Sequence, residues 1–183
     1  MIIFAYFQTD NMTIPELLTD KTKKIKEKTE TISKWLIEGK ITVKELIAFA
    51  EKAKDVEKAT CIEAIEYATK INLDIADENV FVFVTKMMTD NAPRVKWESA
   101  RVIGNIAHHY PTKLNKAITN LLINSQDNGT VVRWASAYAL GEILKIKTKY
   151  NNKLLPAIEA IYEKEIDNAI KKKYADAIKK LKK

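Results

Sequence analysis

The sequence predicts an all-α fold, a right-handed α-α superhelix (solenoid) of about four to five helix pairs, on three observations. The first is internal repetition: VKWESARVIG (Val95 to Gly104) and VRWASAYALG (Val132 to Gly141) are near-copies 37 positions apart. A helical pair cannot bury its apolar face alone, so a stacked copy supplies the missing surface. The second is helical spacing of apolar residues along almost the whole chain, punctuated by caps and turns. The third is an absence in the sequence itself: only four glycines, and no strand-turn-helix phosphate motif, which argues against a nucleotide-binding α/β fold.

Taken in order, Thr13 and Glu16 form a capping box with Pro15 in the first turn. Leu17, Leu18, Ile25, Ile32 and Trp35 then mark one face of a single long helix that stops at Gly39. Thr42 and Glu45 repeat the box and open a shorter helix through Leu46, Ile47, Phe49 and Ala50. Val56 to Ile71 is a third helix, with Ala59, Cys61 or Ile62, Ala64, Ile65 and Ala68 at helical spacings. After the looser INLDIADEN, Val80 to Met88 resembles a strand in composition. Asp77 and Glu78 crowd its start, however, and acidic residues suit a helix N-terminus, so a helix is expected.

TDNAP delivers Pro93 into the next helix, which ends near Tyr110-Pro111. Residues 112–124 make a short helix, SQDNG a turn, and Thr130 caps a helix running to about Ile146. The last two helices cover about 151–163 and 165–182, the latter with Ile166, Ile170, Tyr174, Ile178 and Leu181 along one side.

Within the two copies Val95 matches Val132, Ser99 matches Ser136, Ala100 matches Ala137, Ile103 matches Leu140 and Gly104 matches Gly141. A mid-helix glycine costs on the order of 1 kcal/mol against alanine, so close approach of the preceding helix is the expected reason for two. A weaker copy starts 39 residues earlier, pairing Val56 with Val95, Cys61 with Ala100 and Ala68 with Ala107. The two strong copies, D-N-A-P-R-V-K-W-E-S-A-R-V-I-G and D-N-G-T-V-V-R-W-A-S-A-Y-A-L-G, resemble HEAT repeats of the armadillo-like α-solenoid class. The resemblance implies that Asp90 and Asp127 are turn aspartates, and that Lys96 and Arg133 occupy the basic position that bonds the turn acid of a neighbouring repeat. It implies one HEAT-like domain over 12–183 with a basic C-terminal capping helix, 164–183; separately, the short apolar run before Met12 reads as a small strand or a docked N-terminal arm over residues 1–11. Such a fold carries many functions and assigns none.

Composition narrows the class further. One cysteine, Cys61, excludes a disulfide framework, and its apolar neighbours point to a buried thiol in a reducing, cytoplasmic setting. The apolar opening IIFAYF is too short for a membrane span and lacks the anatomy of a secretory signal. The net charge is +7, but residues 164–183 alone hold eight lysines against three carboxylates. That tail suits a polar cap, or alternatively a basic helix lying on an anionic surface.

Helical spacing gathers Trp97, Arg101 and His108 on one side, and Trp134, Tyr138 and Lys145 on the equivalent side of the next copy. The second helices of a HEAT-type stack line the concave surface. The expected binding ledge is therefore Trp97, Arg101, Trp134 and Tyr138 with Arg94, Lys96 and Arg133 beside them, and Lys58 and Ile62 at the corresponding earlier positions. Tryptophan, tyrosine and arginine are the usual anchor residues of protein interfaces, so a protein or peptide partner is expected. Nucleic acid, stacking a base on an indole and resting its backbone on the cations, is the alternative.

The ledge also resembles that of AlkD-like DNA glycosylases, HEAT-like proteins whose inner-face tryptophans embrace an alkylated base. The aspartate expected one turn after the first tryptophan is Arg101 or Tyr138 here, so the resemblance supplies no catalytic residue. The adjacent His108 and His109 diverge on a helix and offer no zinc pair, and no nucleophile-histidine-acid set occurs. Glu63 and Glu66 read as a solvated helix face. No metal, cofactor or stable membrane insertion is expected.

Overall fold

The computed structural model describes residues 12–181, so the N-terminal arm expected at 1–11 lies outside the described residues, as do 182 and 183. Within that range ten α-helices follow one another with no strand. They pair as α1 (Ile14–Thr19) with α2 (Ile25–Ile37), α3 (Val43–Ala50) with α4 (Asp55–Ile71), and α5 (Glu78–Met87) with α6 (Pro93–Ile106). The last pairs are α7 (Asn115–Asn124) with α8 (Thr130–Lys145), and α9 (Asn151–Lys164) with α10 (Asn168–Leu181). Short 3-10 turns at Leu73–Ile75 and Ala107–His109 complete the path. Five helix pairs stack as the repeat predicts, and none of the helices is long and apolar enough to cross a membrane.

The second helices form a continuous row, α2 on α4, α4 on α6, α6 on α8 and α8 on α10, with the first helices in a second layer. Buried apolar residues from every pair join in one core. Cys61 is fully inside it, and burial, with Glu57 nearby, pushes its thiol up to about 12.

The long first helix expected from Thr13 to Gly39 is instead two helices. Nothing between Thr19 and Lys24 is apolar, and Asp20 takes the backbone N–H and hydroxyl of Thr22 at 2.8 and 2.6 Å, which turns the chain. Such Asx turns compete with helix. Gly39, at φ 68°, ends α2 as expected. The strand-like run from Val80 is helical, capped by the Asp77 carboxylate on the Val80 N–H at 3.0 Å. Gly129, not Thr130, is the N-cap residue of α8. Glu165 to Asp167 are not helical, and Ile166, expected on the packed side, is 89% exposed.

Burial along α4 repeats that of α6 at an offset of 38 residues, not 39. Cys61 falls on Ser99, Ile62 on Ala100, Ile65 on Ile103 and Glu66 on Gly104, all buried. Val56, paired with Val95 in the expected register, is 60% exposed.

The stack is tied by a recurring rung. Each turn acid bonds its own loop: Asp90 accepts from the Ala92 N–H at 2.9 Å, Asp127 from the Gly129 N–H at 2.8 Å, and Glu165 from the Ile166 and Asp167 N–H groups at 3.0 Å. Each also receives a cation from the preceding second helix: Lys58 to Asp90 at 3.1 Å, Lys96 to Asp127 at 2.9 Å, and Arg133 to Glu165 at 3.0 Å. Asp127 is held below the ordinary carboxylate range by the Gly129 N–H and Lys96. Burial opposes the shift at Asp90 and Glu165, but backbone donors with Lys58 and Arg133 still hold both low. In the first-helix layer, side-chain amides of Asn120 and Asn124 donate to the carbonyls of Thr85 and Met88, both at 2.9 Å.

The glycines serve the following second helix, not the preceding one. A Cβ on Gly104 would overlap the Tyr138 ring, and one on Gly141 would sit 3.1 Å from the Ala177 methyl. Gly104→Ala should therefore cost about 1–3 kcal/mol of unfolding free energy through overpacking. In chemical denaturation the cost should shrink in a Tyr138→Ala background, because the ring that meets the new methyl is gone.

Candidate functional site

The ledge residues predicted on α6 and α8, Arg94, Lys96, Trp97, Arg101, Arg133, Trp134 and Tyr138, all lie on the second-helix face and are half-buried. They do not form one basic patch. Lys96 and Arg133 belong to the rungs, and Arg133 also donates to the backbone carbonyls of Asp127 and Asn128 at 3.0 and 3.2 Å. Arg94 reaches back to α4, donating to Glu63 at 2.6 Å and to the Thr60 hydroxyl at 3.3 Å. Glu63 also accepts from the Thr29 hydroxyl of α2 at 2.9 Å, so three helices meet at one carboxylate.

Arg101 bridges two buried acids. It lies 2.8 Å from Glu98 one turn back on α6 and 3.0 Å from Glu66 on α4. Glu66 is fully buried and takes a further pair from Lys70 at 2.6 Å. Glu98 accepts the Trp97 indole N–H at 2.7 Å, which fixes that ring. Burial pushes the Glu98 carboxyl above its ordinary range, and Glu63 and Glu66 add to the push, while Arg101 and the indole oppose it. The expectation that Glu63 and Glu66 form a solvated face is thus overturned: both turn inward, because Arg94 and Arg101 of the next helix reach them.

On α8 the rings of Trp134 and Tyr138 stack with centroids 6.2 Å apart, and the Lys173 ammonium of α10 lies 4.8 Å over the indole. The Tyr138 hydroxyl donates to the Asn105 side-chain carbonyl at 2.8 Å, and Asn105 in turn donates to the Glu66 backbone carbonyl at 3.1 Å. Burial, aided by Glu142 and Glu66, pushes the Tyr138 phenol up to about 12. A cleft of about 120 Å³ opens between α8 and α10, walled by Tyr138, Glu142, Lys145, Lys173, Asp176 and Lys180.

Sequence reasoning missed Glu66, Glu98, Asn105 and Lys173 as parts of this face. The usable signal was the repeat register. At the offset of 38, Glu66 occupies the glycine position, so an acid there faces whatever the next helix presents. Ile62, expected on the ledge, is fully buried core, and Lys58 is a rung cation. His108 and His109, expected to diverge on a helix, instead lie in the 3-10 turn after α6 with ring centroids 4.2 Å apart; burial, then the neighbouring His109, lowers the His108 pKa.

No protein-family model and no curated protein matches the chain. Solved structures do. A designed armadillo repeat protein superposes with a TM-score of 0.67 at 17% identity, over 92% of this chain and 80% of its own. A second, solved in complex with the peptide (KR)4, gives 0.69 at 18% over the same shares. The complex of CpcE and CpcF of phycocyanin lyase from Nostoc sp. gives 0.71 at 19%, over 90% of this chain and 97% of that one. At these identities the likeness shows the fold, an armadillo/HEAT-like superhelix.

Removing Arg101 takes from the buried Glu66 and Glu98 carboxylates the guanidinium they share, leaving Glu98 with no cation partner. Arg101→Met should cost about 3–5 kcal/mol, the usual penalty for an uncompensated buried charge. Calorimetry or urea unfolding reads this directly. The raised Glu98 pKa also fixes a sign. Its folded form binds a proton more tightly than its unfolded form, so its contribution penalises stability above the raised value and the penalty is relieved as pH falls through it. Wild-type stability should therefore rise relative to Glu98→Gln on acidification, and the difference between the two proteins cancels the other carboxylates.

Proposed function

We propose that this chain is a non-enzymatic binding scaffold whose concave, second-helix face holds a protein or peptide segment against Trp97, Arg101, Trp134 and Tyr138. The observation that carries the reading is the fixed, half-buried aromatic row: the Trp97 indole is bonded to Glu98, and Tyr138 is bonded to Asn105 and stacked on Trp134. Rings already held in place lose little side-chain freedom on association, and large fixed rings are the usual energetic centres of interfaces. A designed armadillo neighbour solved with a bound peptide supports the same use of this architecture.

A protein partner is favoured over nucleic acid because Arg94, Lys96, Arg101 and Arg133 are each engaged by a carboxylate. A phosphate backbone would have to break those pairs to use the cations, and the pairs at 96 and 133 hold neighbouring repeats together. A base-excision role would need a carboxylate free to face a sugar, and Glu98 is spent on Trp97 and Arg101. In the same reading residues 12–183 form one repeat domain, α10 closes it, and the buried single thiol suits a reducing cytoplasmic setting.

Selection from a displayed random peptide library against the folded protein tests the proposal. Selected peptides should lose at least about tenfold in affinity with Trp97→Ala or Trp134→Ala, which corresponds to about 1.4 kcal/mol. Duplex DNA should show no comparable binding. DNA affinity that falls with salt and disappears with the same two substitutions would replace the peptide reading with the nucleic-acid one.

A further inference from the structure

The opposite layer carries a second surface. In the first-helix layer α3 meets α5 and α5 meets α7, but α7 and α9 barely touch. The gap between them is a groove of about 460 Å³, within the size range of ligand sites. Its apolar lining is Ile118 and Leu122 of α7 with Tyr150 and Leu154 at the start of α9, and Lys149 and Lys153 stand on its rim.

The wall on the α9 side is rigid. The Tyr150 hydroxyl donates to the Thr112 carbonyl at 2.8 Å, the Asn151 amide donates to the Leu144 carbonyl at 2.7 Å, and the Thr148 N–H bonds the Asn151 side chain at 3.1 Å. Lys147 takes a left-handed φ of 58°, rare outside glycine, which fixes the loop's entry into α9.

Charge selects the occupant. No acidic residue lines the groove, and neither α7 nor α9 has one in its first turn, whereas α1 to α5 all do. Residues 12–110 balance sixteen cations with sixteen carboxylates, while residues 111–181 carry thirteen against seven. We infer that the α7–α9 groove docks an acidic amphipathic helix of a partner protein, its apolar side chains set against Ile118, Leu122 and Tyr150 and its carboxylates against Lys149 and Lys153. Aliphatic anchors at i, i+3 and i+4 are how helices occupy such grooves, and the lysines fix orientation and speed encounter. This site is independent of the concave face.

The test uses a labelled helical peptide of about four turns, with leucines at i, i+3, i+4 and i+7 and glutamates elsewhere, and a second version with lysines in place of the glutamates. In fluorescence anisotropy the acidic peptide should bind at least about tenfold more tightly than the basic one. The double substitution Lys149→Glu, Lys153→Glu, at exposed positions, should cost the acidic peptide at least about tenfold. Ile118→Ser should weaken both peptides, with circular dichroism confirming the fold. Amide shifts should map to 115–122 and 149–154. Equal binding of the two peptides, affinity unchanged by charge reversal, or shifts confined to α8 and α10 would overturn the proposal. So would preferential binding of duplex DNA or of anionic vesicles to the same groove.

Discussion

A turn carboxylate that holds its own loop and receives a cation from the helix before it is the constraint on which the stack depends. An exposed ion pair contributes little, because solvent screens it and two side chains must be ordered. These rungs differ in two ways. Their acids already accept backbone N–H groups that begin the next helix, so the carboxylate is ordered before the cation arrives. Their members are also largely shielded, with Lys58 and Asp90 each only 15% exposed. Breaking a rung would therefore disturb a helix start and a repeat contact together. The same carboxylate closes the loop ahead of a helix and fixes the spacing between neighbours.

One register position shows how the row of second helices is fitted. In α6 it is Gly104, covered by the Tyr138 ring; in α8 it is Gly141, approached by Ala177. In α4 it is Glu66, met by Arg101. Ring on glycine, methyl on glycine and cation on acid are three solutions to one close contact. The ionic one is the most demanding, since a buried acid must be fully compensated, and Glu66 draws in Lys70 as well as Arg101. That demand concentrates polar order on the α4–α6 part of the face and leaves the α8–α10 part with stacked rings and lysines.

Much of this fold could be read from the residues, and the reason is physical. Capping boxes at Thr13 and Thr42, the glycine stop at Gly39 and the duplicated Val95 and Val132 segments act locally, and each is found where the pattern placed it. The long first helix misread a gap in apolar spacing as tolerable, although Asp20 and Thr22 offered the chain a competing turn. The third copy differs by one residue from the register that Val56 suggests, because Val56 is exposed and the repeat is carried by the buried positions of α4. The face was less legible. Aromatic and arginine positions follow from periodicity, but the partners of Arg94 and Arg101 lie on a neighbouring helix more than thirty residues away, and only the correct register brings Glu63 and Glu66 opposite them.

That pairing changes what the cations mean. Counted in the sequence, Arg94, Lys96, Arg101 and Arg133 look like free positive charge awaiting an anion. In the stack each already has one, and the net positive charge lies elsewhere, in the last two pairs, where thirteen cations face seven carboxylates over residues 111–181. Lysine on a long flexible stem is strongly hydrated and loses much freedom when held, so unpaired lysines select a partner by the sign of its charge rather than by shape. Fixed rings and paired arginines do the opposite: they add little net field but present a shape. On the two proposals above, the layers would divide the work of recognition by physical means, with geometry dominating the second-helix face and electrostatic attraction dominating the rim of the first.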